Sequence, residues 1–469
     1  MSGPVPDLAD RADACASALR ESEEVLLVSH IDADGLTSAA VAASALERAA
    51  IPFSVVFSKQ LNEEEIAQIA QAESDTVLFT DFGSGQLPAI VEQEKAGHFT
   101  PIVADHHEPA DADTAYHLNP HLFGIDGSSE LSGAGAAYVL ARALEDRTDN
   151  RDLAALAVVG AVGDMQASEG ELDGANAGIV EEGVAVGVLD TGVDLTFYGT
   201  QTRPIPKLIE YAGDIRIPGI TNNPSGVRSF LEEQDIELKE GDEWRSWVEL
   251  SEAEQRRIVS GLIKRAVASG VPAERISTMT GTTYTLLEEE AGTEVRDASE
   301  FSTLLNATAR YERADVGLGV CLGDRDEVYT RARQLLANHR RNLSEGISWV
   351  ESSGVNVEQH LQWFDAGTRI PDTIVGIVAG MAMGVDGVRA DRPIIAFAEE
   401  SPTETKVSAR GTGRLVGDGL DLSTVMHDAA VDVGGEGGGH TIAAGATIPS
   451  GEESQFLELA GEIVGRQLG

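Results

Sequence analysis

A chain of 469 residues, at roughly 150 residues per domain, points to about three domains and excludes a single small module. Apolar residues make up 42% and charged residues 24%, enough to bury several cores and to exclude wholesale disorder. Seventy-eight acids against 34 bases leave a formal charge of −44, so the chain offers no broad basic face for nucleic acid.

The first 165 residues alternate strand-like and helix-like patterns. VLLVS at 25–29 predicts a strand and residues 36–49 a helix. FSVVF at 53–57 is followed by the helical NEEEIAQIAQAE, TVLFT at 76–80 by a helix over 86–95, and PIVA at 101–104 by an Ala-rich helix over 133–145. Such an order predicts an α/β domain with a parallel sheet covered by helices on both faces. Beyond residue 196 the texture changes: Pro204, Pro206, Pro218, Pro224 and the turn-rich NNPSG introduce a mostly helical middle part. There Trp244, Trp247 and Leu250 sit beside a helix start and are expected to be local core rather than a partner-binding surface. From about residue 301 strand-like and helix-like pieces return, with VGLGVCLG, a long helix over 331–349, TIVGIVAGMAMG, PIIAFAE and finally VGGEGGGHTIAAGATIP. The expected domains are therefore residues 1–195, a mostly helical 196–305, and a C-terminal α/β domain over 306–469.

The identity of the bases refines the charge argument. Only Lys59, Lys95, Lys207, Lys239, Lys264 and Lys406 are lysines, and the acids form short scattered clusters such as Glu63 to Glu65, Glu232-Glu233 and Glu288 to Glu290. This is the pattern of a solvated acidic coat, read as halophilic adaptation: at molar salt the Debye length is about 3 Å, so self-repulsion is screened. Recognition of a polyanion would then fall to a few arginines and metal ions at contact range. Cys15 and Cys321 are far apart and form no CxxC knuckle, which predicts a reducing compartment. Residues 153–163, the longest apolar stretch, are too few to span a bilayer, and the N-terminus lacks a basic-then-apolar signal pattern, so a cytoplasmic protein with no membrane contact is expected.

Three of the first four predicted strands end in acidic or imidazole groups: SHIDADG after the first, Asp81 after the third, and Asp105-His106-His107 after the fourth. In an open parallel sheet ligands bind outside the carboxyl ends of the strands, so these groups should converge on one crevice. His30, Asp32 and Asp34 alternate, and in an extended segment such residues point the same way. Asp164, after the apolar LAALAVVGAVG, is a fourth candidate. One Asp after a strand is explained by helix capping or a turn, but five carboxylates and three imidazoles at successive strand ends are not. Oxygen-rich, imidazole-containing donors without thiolate suit Mn²⁺ or Mg²⁺ better than a structural zinc.

HxDxDG, an isolated Asp after a strand, Asp-His-His, a later Gly-Asp and a C-terminal GGGH resemble, in that order, the DHH phosphoesterase superfamily, DHHA1 branch. SHIDADGLTSAA, FTDFGSGQL, ADHHEP, LSGAG, VVGAVGDMQ, TLLNATAR, VCLGD and GEGGGHTIAAG resemble the archaeal RecJ-like GINS-associated nucleases over nearly the whole chain. The resemblance implies a DHH catalytic domain, a partner-interaction middle domain and a DHHA1 substrate domain. It also implies two divalent cations, Mn²⁺ or Mg²⁺, with His30, Asp32 and Asp81 on one and Asp34, Asp81, His106 and Asp164 on the other. Asp81 would bridge them, since two-metal sites hold their ions about 3.5–4 Å apart. Asp105 would orient His106, and His107 would meet the scissile phosphate or leaving group. In the C-terminal part, Gly437, Gly438 and Gly439 would let backbone amides approach an anion, His440 would donate to a phosphate oxygen, and Arg410 would offer a bidentate fork. Ser132, with Gly133 and Gly135 in LSGAG, sits at a predicted helix N-terminus, which fits a phosphate site or an ordinary serine cap equally. His98, His117, His121, His339, His360 and His427 are expected to be structural or exposed.

The activity so implied is a metal-dependent exonuclease on single-stranded DNA or RNA, working from the 5′ end of DNA and serving replication or repair. Two alternatives stand beside it. One is a phosphodiesterase for oligoribonucleotides or cyclic dinucleotides; the other is a mainly structural replisome subunit that binds the GINS complex through the middle domain.

Overall fold

In the computed structural model, residues 3–167, 170–212, 215–385 and 387–469 are described. The chain divides into two compact units, Met1–Arg333 and Gln334–Gly469.

In the first unit, α1 (Ala9–Glu21) leads into β1 (Val25–His30), α2 (Ala33–Arg48), β2 (Phe53–Ser58), α3 (Glu63–Ile69), β3 (Thr76–Thr80), α4 (Leu87–Ala96), β4 (Thr100–Ala104) and the short β5 (His117–Leu118). The strands form one parallel sheet in the order β2-β1-β3-β4-β5. β1 and β3 are near-continuous apolar runs because both faces are covered. Leu26, Val28, Val77, Phe79 and Val103 pack with Ile66 of α3 and Leu87 and Ile90 of α4. The alternating Leu27, Leu78 and Ile102 turn to the other face, which α2 and α5 (Gly133–Ala143) cover. Alanines on α2 let α5 and α6 (Ala154–Gly163) approach it closely. LAALAVVGAVG is thus a helix, and Asp164 is its C-cap rather than a strand end.

After α7 (Gly174–Val186), β6 (Leu189–Leu195) pairs antiparallel with β9 (Thr280–Leu286), so the chain enters and leaves the middle region along one two-stranded ribbon. Between them lie α8 (Ile205–Glu210), α9 (Pro224–Glu233), a hairpin of β7 (Lys239–Glu240) and β8 (Glu243–Trp244), α10 (Glu252–Ala268) and α11 (Ala273–Ser277). This module has its own core, including Phe197, Leu208, Phe230, Trp247 and Leu262. Trp247 is fully buried and donates its indole N–H to Asp194 at 3.0 Å. Trp244 departs from expectation: it stands on the hairpin, 46% exposed, with the Lys239 ammonium 4.8 Å from its ring centre. Then α12 (Ala298–Arg310) and α13 (Ala314–Cys321) return to pack on α2, and α12 also on α6. Residues 306–333, expected with the C-terminal domain, therefore belong to the first unit.

The 27-residue α14 (Glu327–Ser353) carries the chain into the second unit. A six-stranded mixed sheet follows, in the order β10-β11-β12-β13-β15-β14. Its strands are β10 (Asn356–Val357), β11 (Gln362–Asp365), β12 (Ile394–Ser401), β13 (Glu404–Arg410), β14 (Glu436–Gly439) and β15 (Ala443–Pro449). Along β12, Ile394, Ala396 and Ala398 meet α15 (Asp372–Ala382) on one face. Ile395 and Phe397 meet α17 (Leu422–Asp432) and α18 (Glu453–Leu468) on the other, with the short α16 (Gly413–Gly417) after β13. Among the described residues no helix is long and apolar enough to cross a membrane.

The acidic surface gives a direct expectation. Raising KCl from about 0.1 M to about 1 M shortens the Debye length from about 10 to 3 Å, which should raise the melting temperature of a chain carrying −44 charges. A melting temperature that stays level or falls over that range would remove the halophilic reading.

Candidate metal centre

The centre forms where β1, β3 and β4 end and where α2, α5 and α6 meet. His30 is the last residue of β1, and Asp32 is the N-cap of α2, its Oδ1 accepting the Gly35 N–H at 2.9 Å. Asp34 lies in the first helical turn. The expected extended run from His30 to Asp34 is thus replaced by a strand end, a cap and a helix start; an aspartate that caps a 16-residue helix wins over alternation.

Asp34 is buried, and its carboxylate accepts the Gly133 N–H at 2.7 Å and the Ala134 N–H at 3.0 Å. These are the first two amides of α5, whose positive dipole end favours an anion. The anion served by LSGAG is therefore the chain's own Asp34. Ser132 is the buried N-cap, with Oγ accepting the Gly135 N–H at 3.1 Å, so the reading of Ser132 as a phosphate contact is corrected to a cap.

Asp81 follows β3 with φ +59°, a left-handed conformation uncommon for a residue other than glycine. The turn aims the side chain between two imidazoles: Asp81 Oδ2 is 3.6 Å from His30 Nδ1, and Oδ1 is 3.2 Å from His106 Nε2. Close approach of α5 is possible only because residue 133 is glycine; a Cβ there would lie 2.4 Å from Asp81 Oδ1. His106 Nδ1 donates to the Gly127 carbonyl at 2.7 Å, leaving Nε2 facing Asp81 and, at 3.7 Å, Asp34 Oδ2. Asp164 Oδ2 is 3.8 Å from His106 Nδ1.

Donor atoms of His30, Asp32 and Asp81 lie within 4.8 Å of one another, as do those of Asp34, His106 and Asp164. A third overlapping group, Asp81, Asp105, His106 and His107, also gathers within that distance. Asp105, however, is already engaged. Fully buried, its Oδ1 accepts the His106 and His107 N–H groups and His107 Nδ1, the last at 2.8 Å, and its Oδ2 accepts the Ser84 N–H. It orients the His107 ring, whereas the His106 ring is held by the Gly127 carbonyl and His106 meets Asp105 through its backbone N–H. The His107 ring is half exposed.

The electrostatics call for cations. Burial pushes Asp34 well above the usual carboxylate range, with the charges of Asp81 and Asp164 adding to it, and burial raises Asp164 too. Burial works against the charge on His30, but bonds to Asp32 and Asp81 outweigh it and push the imidazole up to about 11. His106 is likewise pushed up to about 11, burial being outweighed by the bond to Asp81 and the charges of Asp81 and Asp34. Burial would raise Asp81, yet its bonds to His106 and His30 hold it below the ordinary range. Buried carboxylates crowded around two imidazoles form the kind of site that oxygen-preferring divalent ions would serve. The donor set fits Mn²⁺ or Mg²⁺.

Several contributors carry no chemical signature in the sequence. Gln166 bonds Asp164, and Asn306 of α12 accepts the Ala33 N–H at 3.1 Å across 273 residues. Both stand in the motifs VVGAVGDMQ and TLLNATAR, which was their only signal. His117 is buried and hydrogen-bonded to Ser84, while His98 pairs with Gln93 on the surface.

The remaining phosphate-contact candidates, Arg410 and Gly437 to His440, lie in the second unit. Arg410 ends β13 opposite Ala443 of β15, and His440 is exposed at the β14–β15 turn, its N–H donating to the Ala443 carbonyl at 2.9 Å. The two therefore share one end of the sheet. Gly437, Gly438 and Gly439 do not curl into an anion cradle; they form the edge strand β14, paired with β15.

Comparison with known proteins accords with this geometry. Residues 24–161 match the DHH family, N-terminal domain, residues 197–280 the DHH-CID domain and residues 363–466 the DHHA1 domain. An uncharacterized protein of Methanocaldococcus jannaschii is 30% identical over 452 residues, 95% of this chain and 94% of that one. The single-stranded-DNA-specific exonuclease RecJ of Salmonella typhimurium is 23% identical over 96% of this chain and 67% of its own length. Among solved structures, RecJ of Thermus thermophilus in complex with Mn²⁺ has a TM-score of 0.62 at 19% identity, covering 99% of this chain but 56% of that chain. CDC45 of Entamoeba histolytica reaches 0.67 at 11% identity, covering 97% and 99%. With all three domain types in order, and a relative similar over nearly its full length, the chain belongs to the RecJ-like DHH/DHHA1 phosphoesterase family.

Proposed function

We propose that this chain is a two-metal phosphodiesterase that removes nucleotides from single-stranded DNA, acting from the 5′ end. The observation that supports it is Asp81, set between the His30–Asp32 donors and the Asp34–His106–Asp164 donors. Two divalent cations held there, Mn²⁺ by preference, would acidify an attacking water and offset charge on the phosphate. The chain's own groups do the rest. Asp81 ties the two donor sets at a fixed spacing, and the amides of Gly133 and Ala134 lock Asp34. Asp105 holds the His107 Nδ1–H, so that Nε2 faces outward to meet a phosphate oxygen or the leaving group. Arg410 and His440, at one end of the second unit's sheet, are assigned to phosphate contacts.

A second reading, a replisome subunit that binds GINS through the middle module, draws on the fold shared with CDC45 and on exposed Trp244 beneath Lys239. The complete donor set favours the nuclease, with GINS binding as an added role.

The test is degradation of 5′-labelled and 3′-labelled single-stranded DNA and RNA, and of dinucleotides, with Mn²⁺ at several salt concentrations. Mononucleotides released from the DNA 5′ end are expected. Activity confined to dinucleotides would transfer the assignment to a small-substrate phosphodiesterase, and inactivity on every substrate, with GINS bound, to the replisome role.

A further inference from the structure

We propose that Gln166, held in turn by Asn176, is the positioning residue that fixes Asp164 and His106 together as one ligand set. The inference rests on the two-cation reading above. Gln166 is buried, and its amide nitrogen donates to Asp164 Oδ2 at 2.8 Å and to the Gly127 carbonyl at 2.8 Å. That same carbonyl accepts His106 Nδ1 at 2.7 Å. One amide group therefore touches one ligand directly and the other through a shared acceptor.

The orientation of the amide follows from its neighbours. Two acceptors face the nitrogen, while the oxygen accepts from Asn176 Nδ2 at 2.6 Å. Asn176 is itself buried in the first turn of α7, its backbone N–H bonded to the Glu130 carbonyl at 2.8 Å. Both amide hydrogens of Gln166 and one lone pair of its oxygen are thus used, which suits a group that holds its neighbours still. The backbone is shaped to bring it there. Met165, between Asp164 and Gln166, has φ +61° and is 77% exposed, so the chain reverses with the two flanking side chains turned inward. A glutamate at 166 would set a carboxylate against Asp164 and the Gly127 carbonyl, so an amide is required rather than merely a polar group.

Such outer partners fix the tautomer and direction of a ligand, and their loss typically lowers metal affinity about 10–100-fold. Because Gln166 touches the Asp34–His106–Asp164 set and not the His30–Asp32–Asp81 set, the loss should fall on one ion alone. Mn²⁺ titration of the metal-free protein, by calorimetry and electron paramagnetic resonance, tests this. The wild type should take up two Mn²⁺ with a spin-coupled signal. Gln166→Ala should weaken one equivalent about 10–100-fold and show the six-line signal of a single ion while the second site is empty. Asn176→Asp, nearly isosteric, places an acceptor against the Gln166 oxygen, turns the amide over and should give the same selective loss. Metal-free melting temperatures for both variants separate this from misfolding. Two wild-type affinities in both variants would overturn the proposal. A wild type that binds a single Mn²⁺ would overturn the two-cation reading instead, and Gln166 would then stand or fall on whether the variants weaken that ion.

Discussion

Asp81→Asn should abolish nuclease turnover while leaving the fold intact. Asparagine tolerates φ +59° and keeps a side chain of the same shape, so the left-handed turn after β3 survives. What disappears is the negative charge between His30 and His106, the one charge both donor sets share. Each ion would lose a ligand, and the spacing between the ions would lose its tie. The expected fall in kcat is larger than the roughly 10²–10³-fold that follows removal of a single transition-state hydrogen bond, because binding and water activation fail together. Uptake of Mn²⁺ should drop at both sites, in contrast to the one-site loss expected of Gln166→Ala. Asp81→Ala adds a backbone penalty of about 1–2 kcal/mol for φ above zero, so it should also melt earlier. Turnover of Asp81→Asn within tenfold of wild type, or two ions bound at unchanged affinity, would remove Asp81 from the bridging position.

The contrast between Asp81 and Gln166 shows what a sequence makes legible. Asp81, Asp105, His106 and His107 follow strands whose apolar runs are plain, and the rule that parallel strands deliver ligands at their carboxyl ends places them together without coordinates. The alternation of His30, Asp32 and Asp34 predicts an extended run, whereas Asp32 caps a helix that begins at Ala33. The outcome for the site is similar because a strand end, an N-cap and a first helical turn also turn three side chains towards one point. The destination of the LSGAG amides was not legible, since the anion they bind comes from a residue 99 positions earlier. Nor were Gln166 and Asn306, whose amides have no titration and no metal preference to mark them. In the second unit GGGH is conspicuous as composition, but whether three glycines form a cradle or an edge strand is decided by the partner β15, a tertiary choice outside the segment itself.

Gly160→Ala should destabilise the protein and loosen the centre, although in an ordinary helix the same change stabilises by about 1 kcal/mol. Gly160 lies in α6 where that helix crosses α2 and α5. A Cβ at this position would stand 2.4 Å from Asp34 Oδ1, 2.5 Å from the Ala134 Cβ and 2.5 Å from Thr37 Oγ1. None of these is the loose end of a flexible chain. Ala134 is the first turn of α5, and Thr37 is tied to the Ala33 carbonyl at 2.9 Å. The crowding must therefore separate helices or swing Asp34 away from the Gly133 and Ala134 amides. Overpacking costs about 1–3 kcal/mol, and each hydrogen bond to a charged group lost costs about 1.5–3 kcal/mol. Either exceeds the gain in helix propensity, so a net loss of at least about 1 kcal/mol is expected from urea unfolding of the metal-free protein. Displacing a ligand should also weaken Mn²⁺ binding by on the order of tenfold or more. A variant that gained stability with unchanged Mn²⁺ affinity would mean that the three helices can part without moving Asp34. The closeness of α2, α5 and α6 would then be incidental to the centre rather than the means by which the fold holds it.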